Sequence, residues 1–235
     1  MKASDLFIKC LENEEVEYIF GVPGEENEDI MISLMNSKIK FIPTRHEQGA
    51  AFMAAIYGKL TGKAGVCLST LGPGAMNLTT GLADAHLGNM PVVAITGQAG
   101  LHRFHKENFQ FIDIVRAFRP ITKWNASITT PSIIPEAVRK AFKTAEMERP
   151  GPTHLELPED VAKKDVEAEP LKRIKVRRPS ADDKAVAQAV EMIKEAKNPL
   201  ILAGNGCIRT RVSKQLNAFV EERGIPIVHT QMGKG

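Results

Sequence analysis

Phe41-Ile42-Pro43-Thr44-Arg45-His46-Glu47-Gln48-Gly49-Ala50-Ala51-Phe52-Met53-Ala54-Ala55 is the stretch on which the reading of this chain turns. It passes from a short apolar strand, through a few polar residues, into a helix of small and apolar residues. Glu47 stands at the junction. A solvated surface acid needs no such setting. Burial there would disfavour its charged form, raise its pKa, and let it donate or share a proton near neutral pH. The plain alternative is a surface glutamate that favours a helix start through the helix dipole. The apolar flanks argue against it.

About twenty-five residues on comes Ser69-Thr70-Leu71-Gly72-Pro73-Gly74-Ala75-Met76-Asn77, a glycine turn that opens a helix with Asn77, Gly81 and Ala85 on a small-residue face. Such a turn can accept an anion. Neither the Walker pattern nor the dinucleotide fingerprint is present, so the residues alone assign no phosphate site. Upstream, the strand Tyr18-Ile19-Phe20 ends at Gly21-Val22-Pro23-Gly24. Glu25, Glu26, Glu28 and Asp29 follow; four close acids could hold a metal, but acids in a first helical turn are better explained by the dipole. Further strands are expected at Lys40–Pro43, Gly65–Leu68, Val92–Thr96, Ile121–Trp124 and Thr153–Leu157, with helices between most of them. That rhythm predicts an α/β fold: a doubly wound parallel sheet with right-handed crossovers and both faces covered.

The first domain is expected to span residues 1–160. Residues 161–183 read as a linker with a basic run, Lys172, Arg173, Lys175, Arg177 and Arg178. No aromatics interleave with it, which favours a solvated connector over nucleic-acid or membrane binding. From 184 a second, Rossmann-like α/β unit starts, with a helix, the strand Pro199–Ala203, the turn Gly204-Asn205-Gly206, another helix and the strand Pro226-Ile227-Val228. Two strands make too small a sheet to stand alone, so residues 184–235 are expected to be the beginning of a domain cut short.

Composition narrows the class. The 235 residues carry a net charge of only +3, which does not suggest a dedicated nucleic-acid binder. No segment approaches the roughly twenty apolar residues of a membrane span, and Met1-Lys2-Ala3-Ser4-Asp5 is not a secretory signal. Cys10, Cys67 and Cys207 show neither disulfide nor metal-ligand spacing. These readings point to a cytoplasmic protein with reduced thiols, no membrane partner and no nucleic-acid partner.

Taken in order, Phe20-Gly21-Val22-Pro23-Gly24, Arg45-His46-Glu47-Gln48-Gly49-Ala50-Ala51, Gly72-Pro73-Gly74-Ala75-Met76-Asn77 and Gly97-Gln98 resemble the pyrimidine-binding domain of thiamine-diphosphate enzymes, above all the acetolactate synthase large subunit. The likeness runs along the whole chain. It implies decarboxylation of pyruvate and condensation with a second 2-keto acid, on a biosynthetic branched-chain or an acetoin route. In the resembled family a glutamate at the place of Glu47 is hydrogen-bonded to the aminopyrimidine and favours the imino tautomer, while the cofactor performs the chemistry. The resemblance further implies cofactor contacts from Pro23, Gly24, Gly72, Pro73 and Asn77, and an acceptor site lined across a dimer by Phe109 and Gln110. The flanking Lys106-Glu107-Asn108 and Phe111-Ile112 depart from the common biosynthetic pattern. Lys123 matches a family lysine of open role. His46, His102 and His105 could serve as acid–base groups, though a structural or solvated role is the simpler expectation for each.

Gly204 and Gly206 stand where the family carries a turn that contacts FAD. Nothing resembles the family's magnesium and diphosphate motif, so no metal ligand is assigned here; Mg2+ ligands belong to a C-terminal domain, on the same or a partner chain. The resemblance also implies a homodimer or tetramer, built on the small-residue face Ala50, Ala51, Ala54, Ala55 and Gly58, and a small regulatory subunit. Without the C-terminal domain, little activity is expected. The alternatives are a related pyruvate oxidase, glyoxylate carboligase or phenylpyruvate-type decarboxylase, or a non-catalytic subunit that keeps the fold.

Overall fold

The computed structural model describes residues 1–235 except His105, Glu107, Asn108, Lys175 and Gly235. The chain divides into two compact units, Met1–Arg177 and Arg178–Gly235.

The first unit carries strands β1 (Tyr18–Gly21), β2 (Lys40–Pro43), β3 (Gly65–Ser69), β4 (Val92–Gln98), β5 (Trp124–Ser127) and β6 (Pro152–Pro158). Its helices are α1 (Ala3–Asn13), α2 (Glu28–Leu34), α3 (Glu47–Thr61), α4 (Gly72–Met76), α5 (Thr79–Leu87), α6 (Ile114–Phe118), α7 (Ile134–Glu146) and α8 (Glu159–Ala162). The six strands form one parallel sheet in the order β2-β1-β3-β4-β6-β5. The interior strands β3, β4 and β6 are buried along their whole length, as parallel strands covered on both faces must be. The edge strands β2 and β5 are only partly covered.

Helices α1, α2, α7 and α8 lie on one face. Leu6, Phe7 and Leu11 of α1, Ile30 of α2, and Val138 and Phe142 of α7 pack there against Val66, Val93, Ile95 and Leu155 of the sheet. On the other face α3 packs on β1, β3 and α5. The sheet is therefore doubly wound, as the strand–helix rhythm predicts.

Two expectations change. The strand expected at Ile121–Trp124 forms three residues later, at Trp124–Ser127. Arg119-Pro120-Ile121 is a single 3-10 turn, and the Thr122 hydroxyl donates back to the Phe118 carbonyl. Pro120, directly before the expected strand and with no N–H for a ladder, favours the turn that delays it. The small residues of α3 also serve a different purpose from the one expected. Ala50, Ala51, Ala54, Ala55 and Gly58 are buried inside the unit. A Cβ on Gly81 of α5 would stand 2.5 Å from the Ala51 Cβ, so these residues let α3 and α5 touch backbone to backbone. The outward face of α3 is instead Met53, Ile56 and Leu60, all exposed.

Residues 161–174 lie along the first unit. Asp165 bridges to Lys2, the Val166 amide donates to the Met1 carbonyl, and Asn13 Nδ2 donates to the Leu171 carbonyl at 2.7 Å. Arg173 pairs with Glu15 and approaches Glu14 and Glu146.

The second unit contains α9 (Asp183–Glu195), β7 (Ile201–Ala203), α10 (Asn205–Arg209), α11 (Ser213–Arg223) and β8 (Ile227–His229). Its only sheet among the described residues is the parallel pair β7–β8. Val186, Val190 and Ile193 of α9, Leu202 of β7 and Val228 of β8 remain exposed. A sheet this small leaves such residues without a second layer to cover them.

Candidate cofactor-binding and active site

The strand order places a crevice where the chemistry converges. From β1 the chain passes over one face, through α2, to β2. It then returns over the other face, through α3, to β3 on the far side of β1. The loops leaving β1 and β3 therefore part in opposite directions above the carboxyl ends of neighbouring strands. Open α/β sheets bind ligands at such a switch point.

Glu47 is the first residue of α3 and is only 8% exposed. His46 caps the helix: its Nδ1 accepts the Gln48 amide at 3.2 Å. That gives His46 a structural role. Asn77, directly after α4, donates through Nδ2 to Glu47 Oε2 at 2.9 Å. The other oxygen, Oε1, lies 3.3 Å from the point where a Gly74 Cβ would stand, and the Ser69 hydroxyl lies 3.1 Å from the same point. Ser69 is fully buried and its Oγ has no hydrogen-bond partner. A Cβ at position 74 would crowd these two oxygens and stand 2.8 Å from the Thr70 side chain, so glycine is what lets the turn lie this close to Glu47.

The loop after β1 meets the loop after β3 directly. Thr70 Oγ1 donates to the Glu26 carboxylate, and the Thr70 side chain packs against Gly24. The Gly24 amide donates to the Asn27 side chain at 2.9 Å. Pro23 is exposed beside this contact. Gly72 has a left-handed φ of +52°, and the Gln110 carbonyl lies 2.0 Å from where its Cβ would be. The structure thus brings Pro23, Gly24, Glu47, Gly72, Pro73, Asn77 and Gln110 to the same end of the sheet. Phe109 is 76% exposed on the Gln110 loop. His102 falls in a 3-10 turn after β4, and His105 lies outside the described residues.

Next to this region, the carboxyl ends of β4 and β6 carry a buried polar pair. Gln98 Nε2 donates to Glu156 Oε2 at 2.9 Å and to the Ile112 carbonyl at 3.0 Å. Burial pushes the Glu156 carboxyl above its ordinary range. A cleft of about 230 Å³ opens beside the pair, between Phe104 and Phe111. Deeper in the sheet, His154 is fully buried, its Nε2 lies 2.9 Å from Thr96 Oγ1, and burial pushes its imidazole down to about 3.

Sequence reasoning missed Glu26, Thr70, Ser69 and Glu156. Glu156 had a readable signal, an acid inside the apolar run Thr153–Leu157. Glu26 was hidden among four acids that a helix start explains. Lys123, of open role, places Nζ on the Thr144 and Met147 carbonyls at the end of α7. It caps that helix, where a cation is favourable.

Gly204 and Gly206 belong to the second unit. Gly204 precedes α10, and Gly206 lies within it. Beyond the adjoining residues and the helix's own backbone, no described atom comes within 4 Å of a Cβ at either position. Cys10, Cys67 and Cys207 are free thiols; burial pushes the first two up to about 12. Among the described residues no group of three His, Cys, Asp or Glu is placed to hold a metal ion, and no helix is long and apolar enough to cross a membrane.

Residues 1–117 match the family described as thiamine pyrophosphate enzyme, N-terminal TPP binding domain, and residues 186–235 match its central domain. The chain belongs to the thiamine pyrophosphate enzymes. Over its full length it is 42% identical to a probable acetolactate synthase large subunit of Methanocaldococcus jannaschii and 39% identical to the acetolactate synthase large subunit of Corynebacterium glutamicum. It is 35% identical to a glyoxylate carboligase of Escherichia coli O157:H7. The chain covers 41%, 38% and 40% of these relatives respectively, so it spans about two fifths of their length. As a thiamine pyrophosphate enzyme, it carries Glu47, the Gly72-Pro73-Gly74 turn, Phe109 and Gln110 within the N-terminal match, and Gly204 and Gly206 within the central one.

Proposed function

We propose that this chain is the N-terminal and part of the central region of a thiamine-diphosphate-dependent carboligase of 2-keto acids, of the acetolactate synthase type. One observation carries the reading. A buried carboxyl, Glu47, is held at one oxygen and left open at the other, at the switch point of a doubly wound sheet.

The residues present fit the aminopyrimidine of thiamine diphosphate. Glu47 Oε2 is taken by Asn77, and Ser69 Oγ, close to the same Gly74, is without a partner. A ring bearing a nitrogen donor would give Glu47 Oε1 a partner to match the one Asn77 gives Oε2. When bound, thiamine diphosphate supplies a nucleophilic carbon and an electron sink for loss of carbon dioxide. The chain's own part is narrower. Glu47 holds or gives up a proton at Oε1, the buried setting keeps water from competing for it, and the loop at Phe109 and Gln110 shapes the acceptor side.

The same reading places magnesium and the diphosphate on a C-terminal portion outside these residues. It assigns the Gly204–Gly206 turn to FAD, and it puts the protein in the cytoplasm as a homodimer or higher oligomer with a regulatory subunit. The exposed Met53, Ile56 and Leu60 of α3 support the oligomer, because large apolar side chains on one helix face are costly to leave in water.

The test is a titration with thiamine diphosphate and magnesium, with and without a separately expressed C-terminal cofactor domain, following acetolactate formed from pyruvate. Activity is expected only in the mixture, and not with Glu47→Gln. Product from a mixture carrying Glu47→Gln at the wild-type rate would overturn the reading.

A further inference from the structure

The two oxygens of Glu47 are in different situations, and the difference comes from Asn77. Oε2 accepts a hydrogen bond from Asn77 Nδ2 at 2.9 Å. Oε1 lies 3.3 Å from the point where a Gly74 Cβ would stand and takes no part in that bond. A glutamate side chain has three rotatable bonds, and the Asn77 bond is the hydrogen bond that orients the last of them. Ser69 could have tied Oε1 from below, yet its hydroxyl makes no hydrogen bond.

The residue that does the tying is itself well held. The Asn77 backbone N–H donates to the Pro73 carbonyl at 3.1 Å and to the Gly74 carbonyl at 3.2 Å, closing α4. Two residues later Thr79 Oγ1 donates to the Met76 carbonyl at 2.7 Å, at the start of α5. Asn77 therefore sits on a stiff corner between two helices. Its carboxamide donates protons in hydrogen bonds but does not give them up. A carboxyl that accepts such a bond at Oε2 has Oε1 left for a second partner.

We propose that Asn77 is a positioning residue: by holding Oε2 it leaves Oε1 of Glu47, on the Gly74 side, as the oxygen that exchanges a proton. This deepens the reading of Glu47 as the acid that serves the thiamine ring, and rests on it.

The experiment has two arms. In the first, the 235-residue chain without cofactor is labelled with 15N, and the Asn77 side-chain amide protons are observed by NMR. The hydrogen-bonded proton is expected downfield in the wild type and shifted upfield in Glu47→Ala. An unchanged resonance would show that no such bond exists and overturn the proposal.

In the second arm, the chain is combined with a C-terminal cofactor domain, thiamine diphosphate and magnesium. Exchange of the thiazolium C2 proton with deuterium is measured beside cofactor affinity and sedimentation. Asn77→Ala is expected to slow exchange by about 10- to 100-fold, the usual result of a misaimed catalytic group. Exchange is compared at saturating cofactor, and particle size should hardly change, because Asn77 is exposed and its truncation leaves no buried cavity. Asn77→Gln, which keeps the donor, should recover most of the rate, and Asn77→Asp should not. Wild-type exchange rates in Asn77→Ala would sink the positioning role alone. No exchange in the wild type would sink the thiamine reading as well.

Discussion

The carbonyl oxygen of Gln110 stands 2.0 Å from the point a Cβ on Gly72 would occupy. That single approach joins the loop after β4 to the glycine turn after β3, 38 residues apart in sequence, and so brings two parts of the candidate site together. Gly72 also has φ +52°, which an L side chain adopts only with strain. Gly72→Ala should therefore cost about 1–3 kcal/mol and push the Phe109–Gln110 loop away. Urea unfolding would read the cost. Faster hydrogen exchange confined to residues 109–112 would read the displacement, and wild-type exchange there would count against the coupling.

Glu14 and Arg139 form a buried ion pair, Oε2 to Nη1 at 2.7 Å, between the end of α1 and the middle of α7. Burial raises the Glu14 carboxyl to about 7 even though Arg139 and Arg173 pull it down. Removing Arg139 leaves an acid that escapes charge by taking up a proton. Arg139→Leu should cost about 3 kcal/mol at pH 8.5, where Glu14 must ionise, and clearly less at pH 6. Urea melts at the two pH values check this; equal costs would mean that Glu14 is not the group left stranded.

Much of this architecture was legible because the parallel sheet writes itself as apolar runs between helices. Pro91–Ile95 and Gly65–Leu68 needed no partner to be recognised, since interior parallel strands are apolar on both sides. Glu47 was legible for the opposite reason, a carboxylate where only apolar residues were expected. What the sequence did not show was which loops meet. Thr70 and Glu26 lie 44 residues apart, and only the order β2-β1-β3 makes them neighbours. The alanines of α3 carried a true signal for close helix packing but not its address, because spacing says that a face is tight without saying whether the partner is α5 or another chain. Trp124–Ser127 was misplaced because the apolar Ile121 lies beside Pro120, and a proline's missing donor outweighs local hydrophobicity.

Buried titrating groups give the fold a pH dependence of two opposing parts. The His154 imidazole sits at about 3 in the folded chain, below its ordinary 6.5. Its contribution is intact above pH 6.5 and is lost as pH falls toward 3, because the unfolded chain takes a proton that the folded one refuses. Glu14, at about 7 against an ordinary 4.5, acts the other way. Its contribution is full below pH 4.5 and fades as pH climbs to 7. Between 4.5 and 6.5 the two offset each other. His154→Gln removes the acid-side loss, leaves the Glu14 contribution unopposed, and should raise stability at pH 4 relative to pH 7 by about 3 kcal/mol compared with wild type. Parallel curves for the two proteins would rule out His154 as the source.

Met53, Ile56 and Leu60 form the outward face of α3, the helix whose first residue is Glu47. If that face meets a second copy, a charge there would break assembly without touching the α3–α5 packing, which uses Ala51 and Gly81 on the opposite side. Met53→Glu with Ile56→Glu should leave the melting temperature of the isolated chain nearly unchanged, because both residues are already exposed. The same pair should halve the particle mass seen by sedimentation and abolish acetolactate formation in the mixed system. Gly81→Leu is the contrasting case. It forces a side chain into the Ala51 contact and should unfold the unit whatever the assembly state, at a cost of about 1–3 kcal/mol or more. A double glutamate variant that keeps the wild-type mass would move the subunit contact to another face.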